Sequence, residues 1–224
     1  MPWSAEISVR AGSLTLPGTL TLPANARGIV LFAHGSGSSR HSPRNRYVSR
    51  ELVGAGIGTL LFDLLTPAED SGYSIRFDIG LLTSRLLAAT DWAMREGATA
   101  PLSLGYFGAS TGAAAALAAA AEYGTRIAAV VSRGGRPDLA GADALARVSA
   151  PTLLIVGGED DVVIELNRAA YARLSCPKEL EIVPGATHLF EEPGTLERVA
   201  ADAAAWFERW LVKQGEQGAG AGRY

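Results

Sequence analysis

The sequence predicts an α/β protein with a mostly parallel central sheet, an antiparallel hairpin at the N-terminus and helices on both faces. Three observations carry this reading. Short, continuous apolar runs recur along the chain and end in Gly or polar residues, the pattern of strands buried on both faces. Between them lie stretches with apolar residues three and four apart, the period of amphipathic helices. The two kinds of segment alternate, which implies right-handed crossovers between parallel strands.

Residues 6–22 alternate apolar and polar side chains and contain Pro17-Gly18, so they read as a hairpin or a pair of edge strands. Residues 28–33 (GIVLFA) form the first buried run and end in the tight loop His34-Gly35-Ser36-Gly37. Further runs follow at 58–62, 102–107, 128–131 and 152–156, with a last short one at 179–183. Ile79, Leu82, Leu86 and Ala89 share one helical face, with Asp78 placed to cap it. The Ala-rich residues 113–121 suit a helix packed closely on a sheet, and Leu196, Val199, Ala203, Phe207 and Trp210 mark a final helix. Trp92, Trp206 and Trp210 fall at helical spacings and belong to the core. In such sheets ligands bind at the carboxyl ends of the strands.

With 224 residues and 48% hydrophobic side chains the chain builds one core, a single domain over 1–213 followed by a Gly-rich, flexible tail at 214–224. A net charge of -3 without clustered positive charge argues against nucleic acid and against an anionic membrane surface. The short basic run between Arg40 and Arg50 reads as a solvated loop and helix face. One cysteine, Cys176, rules out an intramolecular disulfide and a cysteine zinc cluster. No secretory pattern or bilayer-length apolar stretch is visible, so a cytoplasmic location is expected. The three histidines lack zincin spacing, so no metal is expected. Arg40 stands where a dinucleotide loop starting at Gly35 needs its third glycine, so no cofactor is expected either. Trp3 and the N-terminal strands can cover a sheet edge or pair with a second copy, which leaves monomer and homodimer open.

The chemistry concentrates at Gly108-Ala109-Ser110-Thr111-Gly112, a G-x-S-x-G motif between a strand and a helix. The turn there is sharp, and side chains at 108 and 112 would strike the adjacent strand and helix. Ser110 then projects from the sheet edge, beside the positive end of the following helix. A serine hydroxyl needs a base, and His188, in a loop between the last strand and the last helix, is the best placed of the three histidines. His34 fits a structural role in the first glycine loop, and His41 is solvated. A carboxylate must orient the imidazole, and Asp160 and Asp161 both follow the strand at 152–156, with Glu159 also chemically able. The chain order Ser, Asp, His is that of the α/β-hydrolase fold. For an oxyanion, the N-H of Thr111 is one donor, and Ser36, or else Gly37, supplies the second. Arg133 and Arg136 follow a strand and lie near the same edge, where either can clamp a substrate carboxylate or phosphate; a salt bridge with Asp138 is the plainer role.

The segments VLFAHGSGSSRHSPRN, GYFGASTG, VSRGGRPDLAG, PTLLIVGGEDD and PGATHLFEEPG resemble the dienelactone hydrolase-like branch of the α/β hydrolases, over residues 28–211. The resemblance implies that the acid is the fourth residue of a G-x-x-D motif, which is Asp160. Dienelactone hydrolases proper use a cysteine nucleophile where this chain has Ser110, so dienelactone activity is not implied. Some relatives are joined to a phosphoribosyltransferase, but this sequence has no acidic, Gly/Thr-rich loop for phosphoribosyl pyrophosphate. The resulting expectation is a serine hydrolase cleaving a small carboxylic ester, thioester or lactone. An acyltransferase, or a scaffold that binds a small molecule without turnover, is the alternative.

Overall fold

The computed structural model describes residues 1–211. Eight strands, β1 (Trp3–Ala11), β2 (Leu14–Leu22), β3 (Gly28–Ala33), β4 (Gly58–Phe62), β5 (Ser103–Ala109), β6 (Ile127–Arg133), β7 (Thr152–Gly157) and β8 (Lys178–Val183), form one sheet in the order β1-β2-β4-β3-β5-β6-β7-β8. Strands β3 to β8 run parallel, and β1 and β2 are antiparallel. The helices are α1 (Pro43–Gly54), α2 (Pro67–Asp70), α3 (Ile79–Arg95), α4 (Thr111–Tyr123), α5 (Ala142–Arg147), α6 (Asp161–Arg173) and α7 (Thr195–Trp210).

Alternation along the strands sorts side chains between two apolar layers. Leu31 and Tyr106 face Leu82, Leu86 and Ala89 of α3 and Leu117 of α4; Phe32 and Phe107 face Val48 and Leu52 of α1 and Val199, Ala203 and Phe207 of α7. Helix α4 lies close to the strands because Ala113–Ala116, all fully buried, carry nothing larger than a methyl. Asp78 caps α3 as its sequence suggests, accepting the Leu81 N-H at 2.9 Å.

The hairpin turns at Gly12, with φ +63°, and Pro17-Gly18 lies inside β2. Pro17 is tolerated there because the ladder to β4 starts at Gly18↔Phe62, so its missing N-H falls at the ladder's end. Its carbonyl still accepts the Asp63 N-H at 3.0 Å. Helix α1 begins in the basic run, with Ser42 as its cap and Pro43 in the first turn. Between β6 and β7 there are only a 3-10 turn (Pro137–Ala140) and α5, so nothing the size of a lid domain is inserted. Among the described residues no helix is long and apolar enough to cross a membrane. The tail expected at 214–224 lies outside the described residues.

Candidate active site

Five loops, leaving β3, β5, β6, β7 and β8, meet at the carboxyl edge of the sheet. At the β5–α4 junction Ser110 has φ 52° and ψ -121°, a region that non-glycine residues seldom occupy. The backbone approaches that allow it are tight. A Cβ at Gly108 would lie 2.4 Å from Cα of Ala113, and one at Gly112 would lie 2.1 Å from the Ala33 carbonyl oxygen on β3. Although Ser110 occupies the cap position of α4, its side chain makes no cap hydrogen bond, so Oγ stays available. Thr111 opens the helix, where an N-H has no intrahelical acceptor.

Two segments fix the serine's main chain. The Ser110 N-H donates to the Arg133 carbonyl (3.2 Å), and its own carbonyl accepts the Arg136 N-H (3.1 Å). The same β6 loop reaches the histidine: a Cβ on Gly134 would be 3.1 Å from the His188 carbonyl oxygen and 3.7 Å from Cε1 of its ring. Loop 133–136 therefore packs against both Ser110 and His188.

Nδ1 of His188 lies 2.7 Å from Oδ2 of Asp160. Because a carboxylate only accepts, Nδ1 carries the proton and Nε2 is left basic. Asp160 precedes α6 without capping it, whereas Asp161 is the first residue of α6 and, like Glu159, is exposed. Geometry thus brings one of the three candidate acids to the imidazole. The acid turn is tied to the histidine loop by Gly158 N-H to the Val183 carbonyl (2.8 Å) and Glu159 N-H to the Ala186 carbonyl (2.9 Å).

The histidine loop has its own supports. Phe190, fully buried and at φ 55°, pins the loop to the α1–α7 layer. Glu192 accepts the Thr187 hydroxyl (2.7 Å) and N-H (3.1 Å), bonds that hold its carboxyl below the usual carboxylate range. Neither residue stands out in the sequence as part of a site. Phe190 reads as an ordinary apolar residue, and only its place two positions after His188 hints at an anchor.

On the opposite side, the β3–α1 loop approaches Ser110 at Gly35, where a Cβ would lie 3.1 Å from Cβ of Ser110. The Gly35 carbonyl accepts the Ser38 N-H (3.2 Å) and faces Nδ1 of His34 (3.0 Å). Nε2 of His34 accepts the Leu64 N-H at 3.0 Å, so the ring is neutral with its proton on Nδ1. Burial lowers the His34 pKa, in keeping with that state. His34 thereby ties the loop carrying Ser36 to the end of β4.

The two arginines part company. The Arg136 guanidinium is taken up by Asp138 through Nε (2.9 Å) and Nη2 (2.8 Å). Arg133 is buried without an ion pair among the described residues, its Nε and Nη1 lacking any partner there.

A sequence model of the dienelactone hydrolase family matches residues 16–212. Two Mycobacterium tuberculosis proteins named as candidate phosphoribosyl transferases are 60% identical to this chain over 213 residues, which is 95% of this chain and 48% of theirs. The chain therefore spans about half the length of these curated relatives. The crystal structure of a dienelactone hydrolase from Anabaena variabilis is 56% identical, with a TM-score of 0.91 over 94% of this chain and 99% of that one. Est1E from Butyrivibrio proteoclasticus, 16% identical with a TM-score of 0.78 over 91% of this chain and 98% of its own, shares the fold.

Proposed function

The chain belongs to the dienelactone hydrolase family, and from that premise we propose that it is a serine hydrolase acting on carboxylic esters, with Ser110 as nucleophile, His188 as base and Asp160 as orienting acid. The observation that carries this reading is the 2.7 Å His188–Asp160 pair, held by loop 133–136 beside a strained serine with an uncapped hydroxyl. Nε2 of His188 takes the Ser110 proton as Oγ attacks the acyl carbon, and Asp160 stabilises the imidazolium. The oxyanion rests on the N-H groups of Thr111 and Ser36; one such donor is worth about 3 kcal/mol in the transition state. His188 then protonates the leaving alcohol, and water activated by the same base releases the acid.

The transferase name belongs to proteins about twice as long as the matched stretch. It is not assigned to this chain.

The test is labelling by a fluorophosphonate probe together with hydrolysis of short-chain p-nitrophenyl esters. Wild type should do both and Ser110→Ala neither. A wild type that neither labels nor turns over any ester overturns the reading and favours a binding scaffold.

A further inference from the structure

Arg133 ends β6 with 7% of its surface exposed and with no acid or hydrogen-bond acceptor bonded to its guanidinium among the described residues. Nε and Nη1 are closed off from solvent without a partner among the described residues, and Nη2 is not among the enclosed atoms. Burial, with the nearby Arg44 charge second, brings its pKa down to about 10, so it remains cationic at neutral pH. Arg44, in the first turn of α1, also has a buried Nε without a partner, and its Nη1 pairs with the exposed Glu191 at 2.8 Å. An uncompensated buried cation is costly, and a second cation beside it adds to that cost.

We propose that Arg133 and Arg44 bind a phosphate group carried by the alcohol half of the substrate. This rests on the serine hydrolase reading above. Phosphate fits better than carboxylate because the two guanidinium groups come from different elements, β6 and α1. A carboxylate's two oxygens satisfy one planar fork, whereas the three free oxygens of a phosphate monoester can bridge two. Its charge, near -2, answers two cations of which only one is partly offset by Glu191. The alcohol half is indicated by position. Cζ of Arg133 lies 5.9 Å from the ring centre of Phe190, two residues beyond His188, the group that protonates the leaving oxygen. In the reaction the Ser110 Oγ–acyl bond forms and the ester C–O bond breaks. The proton passes through His188 to the departing phosphoalcohol, whose phosphate ester stays intact.

The experiment compares kcat/KM for 4-acetoxyphenyl phosphate, 4-acetoxybenzoate and phenyl acetate in wild type, Arg133→Met, Arg133→Lys and Arg44→Gln. Wild type should prefer the phosphate over phenyl acetate by at least about tenfold, or roughly 1.4 kcal/mol. Arg133→Met should erase that ratio, Arg133→Lys should restore part of it, and Arg44→Gln should weaken it. Inorganic phosphate should inhibit wild type competitively and Arg133→Met far less. Equal preference for the carboxylate, no preference at all, or a parallel loss on all three esters in Arg133→Met overturns the proposal. Thermal denaturation separates this from failure of the hydrolase reading. If no ester is turned over, inorganic phosphate should still raise the unfolding midpoint of wild type, raise that of Arg133→Lys or Arg44→Gln by less, and leave that of Arg133→Met unchanged. Absence of that shift also overturns the phosphate site.

Discussion

The neighbouring carboxylates Asp160 and Asp161 carry the same chemistry and differ in what the backbone does with them. Asp161 enters α6 and points its charge into solvent, where it complements the helix N-terminus; Asp160 stays outside the helix and meets Nδ1 of His188. Asp160→Asn should cut kcat by about 10³ to 10⁴-fold, because an amide no longer fixes the tautomer. Asp161→Asn should change kcat by no more than about twofold, as for other surface substitutions. Steady-state kinetics on one p-nitrophenyl ester checks both, and equal losses would mean that Asp161 shares the role. His34 gives a pH prediction. Burial disfavours its charge and holds its pKa below the ordinary value, and the Leu64 N-H occupies Nε2. The unfolded chain binds this proton near pH 6.5 while the folded chain resists it. Its contribution to stability is therefore complete above about 6.5 and declines as the pH falls from there toward the lowered folded value. Urea midpoints measured between pH 7.5 and 5 should fall more steeply for wild type than for His34→Gln, and parallel curves would contradict this.

Elements whose identity rests on hydrophobic period were legible in the sequence, and those that rest on capping or tertiary contact were not. The buried runs of β3 to β7 stand out because strands covered on both faces need apolar residues at every position. Helix α1 buries the polar Asn45 and Ser49 beside Val48 and Leu52, so its apolar stripe is short and mixed with polar residues, and it is marked instead by Ser42-Pro43. The hairpin turn is easily misplaced because Pro17-Gly18 carries turn chemistry inside a strand, while Gly12 supplies the left-handed residue the turn uses. The turn at Ser110 is the opposite case: its glycines are forced by contact between elements. Gly112→Ala would drive a methyl into the β3 backbone and should destabilise the protein by about 3 kcal/mol or more, with ester turnover lost. Gly54→Ala, at the end of α1 with open space around the new methyl, should be neutral or stabilising by roughly 0.5–1 kcal/mol. Urea denaturation of the pair checks the contrast, and similar effects at both positions would show that β3 and α4 can move apart.

At the scale of the whole molecule the site is a meeting of loops from β3, β5, β6, β7 and β8, so its geometry depends on the sheet holding all five in register. The sequence places each loop at the carboxyl edge, yet it is silent on which main-chain groups join them, such as Ser110 to Arg133 and Arg136, or Gly158 and Glu159 to the histidine loop. Those bonds follow from strand order and twist, which no local pattern encodes. If the sheet behaves as one cooperative unit, a group buried far from the site should become reactive only when everything opens. Cys176 is such a group. It sits just before the edge strand β8 with 8% exposure, its Sγ 3.7 Å from Oγ1 of Thr152, and it belongs to the same apolar layer as Leu154, Leu174 and Ala150. Burial raises its thiol pKa, which further suppresses the thiolate in the folded state. Its labelling by a disulfide reagent should therefore be slow in native buffer and should accelerate with urea at the slope of global unfolding measured by circular dichroism. A much shallower slope would mean that β8 peels from β7 on its own. The loops carrying Asp160 and His188, which leave from the ends of these two strands, would then be held by an edge that frays.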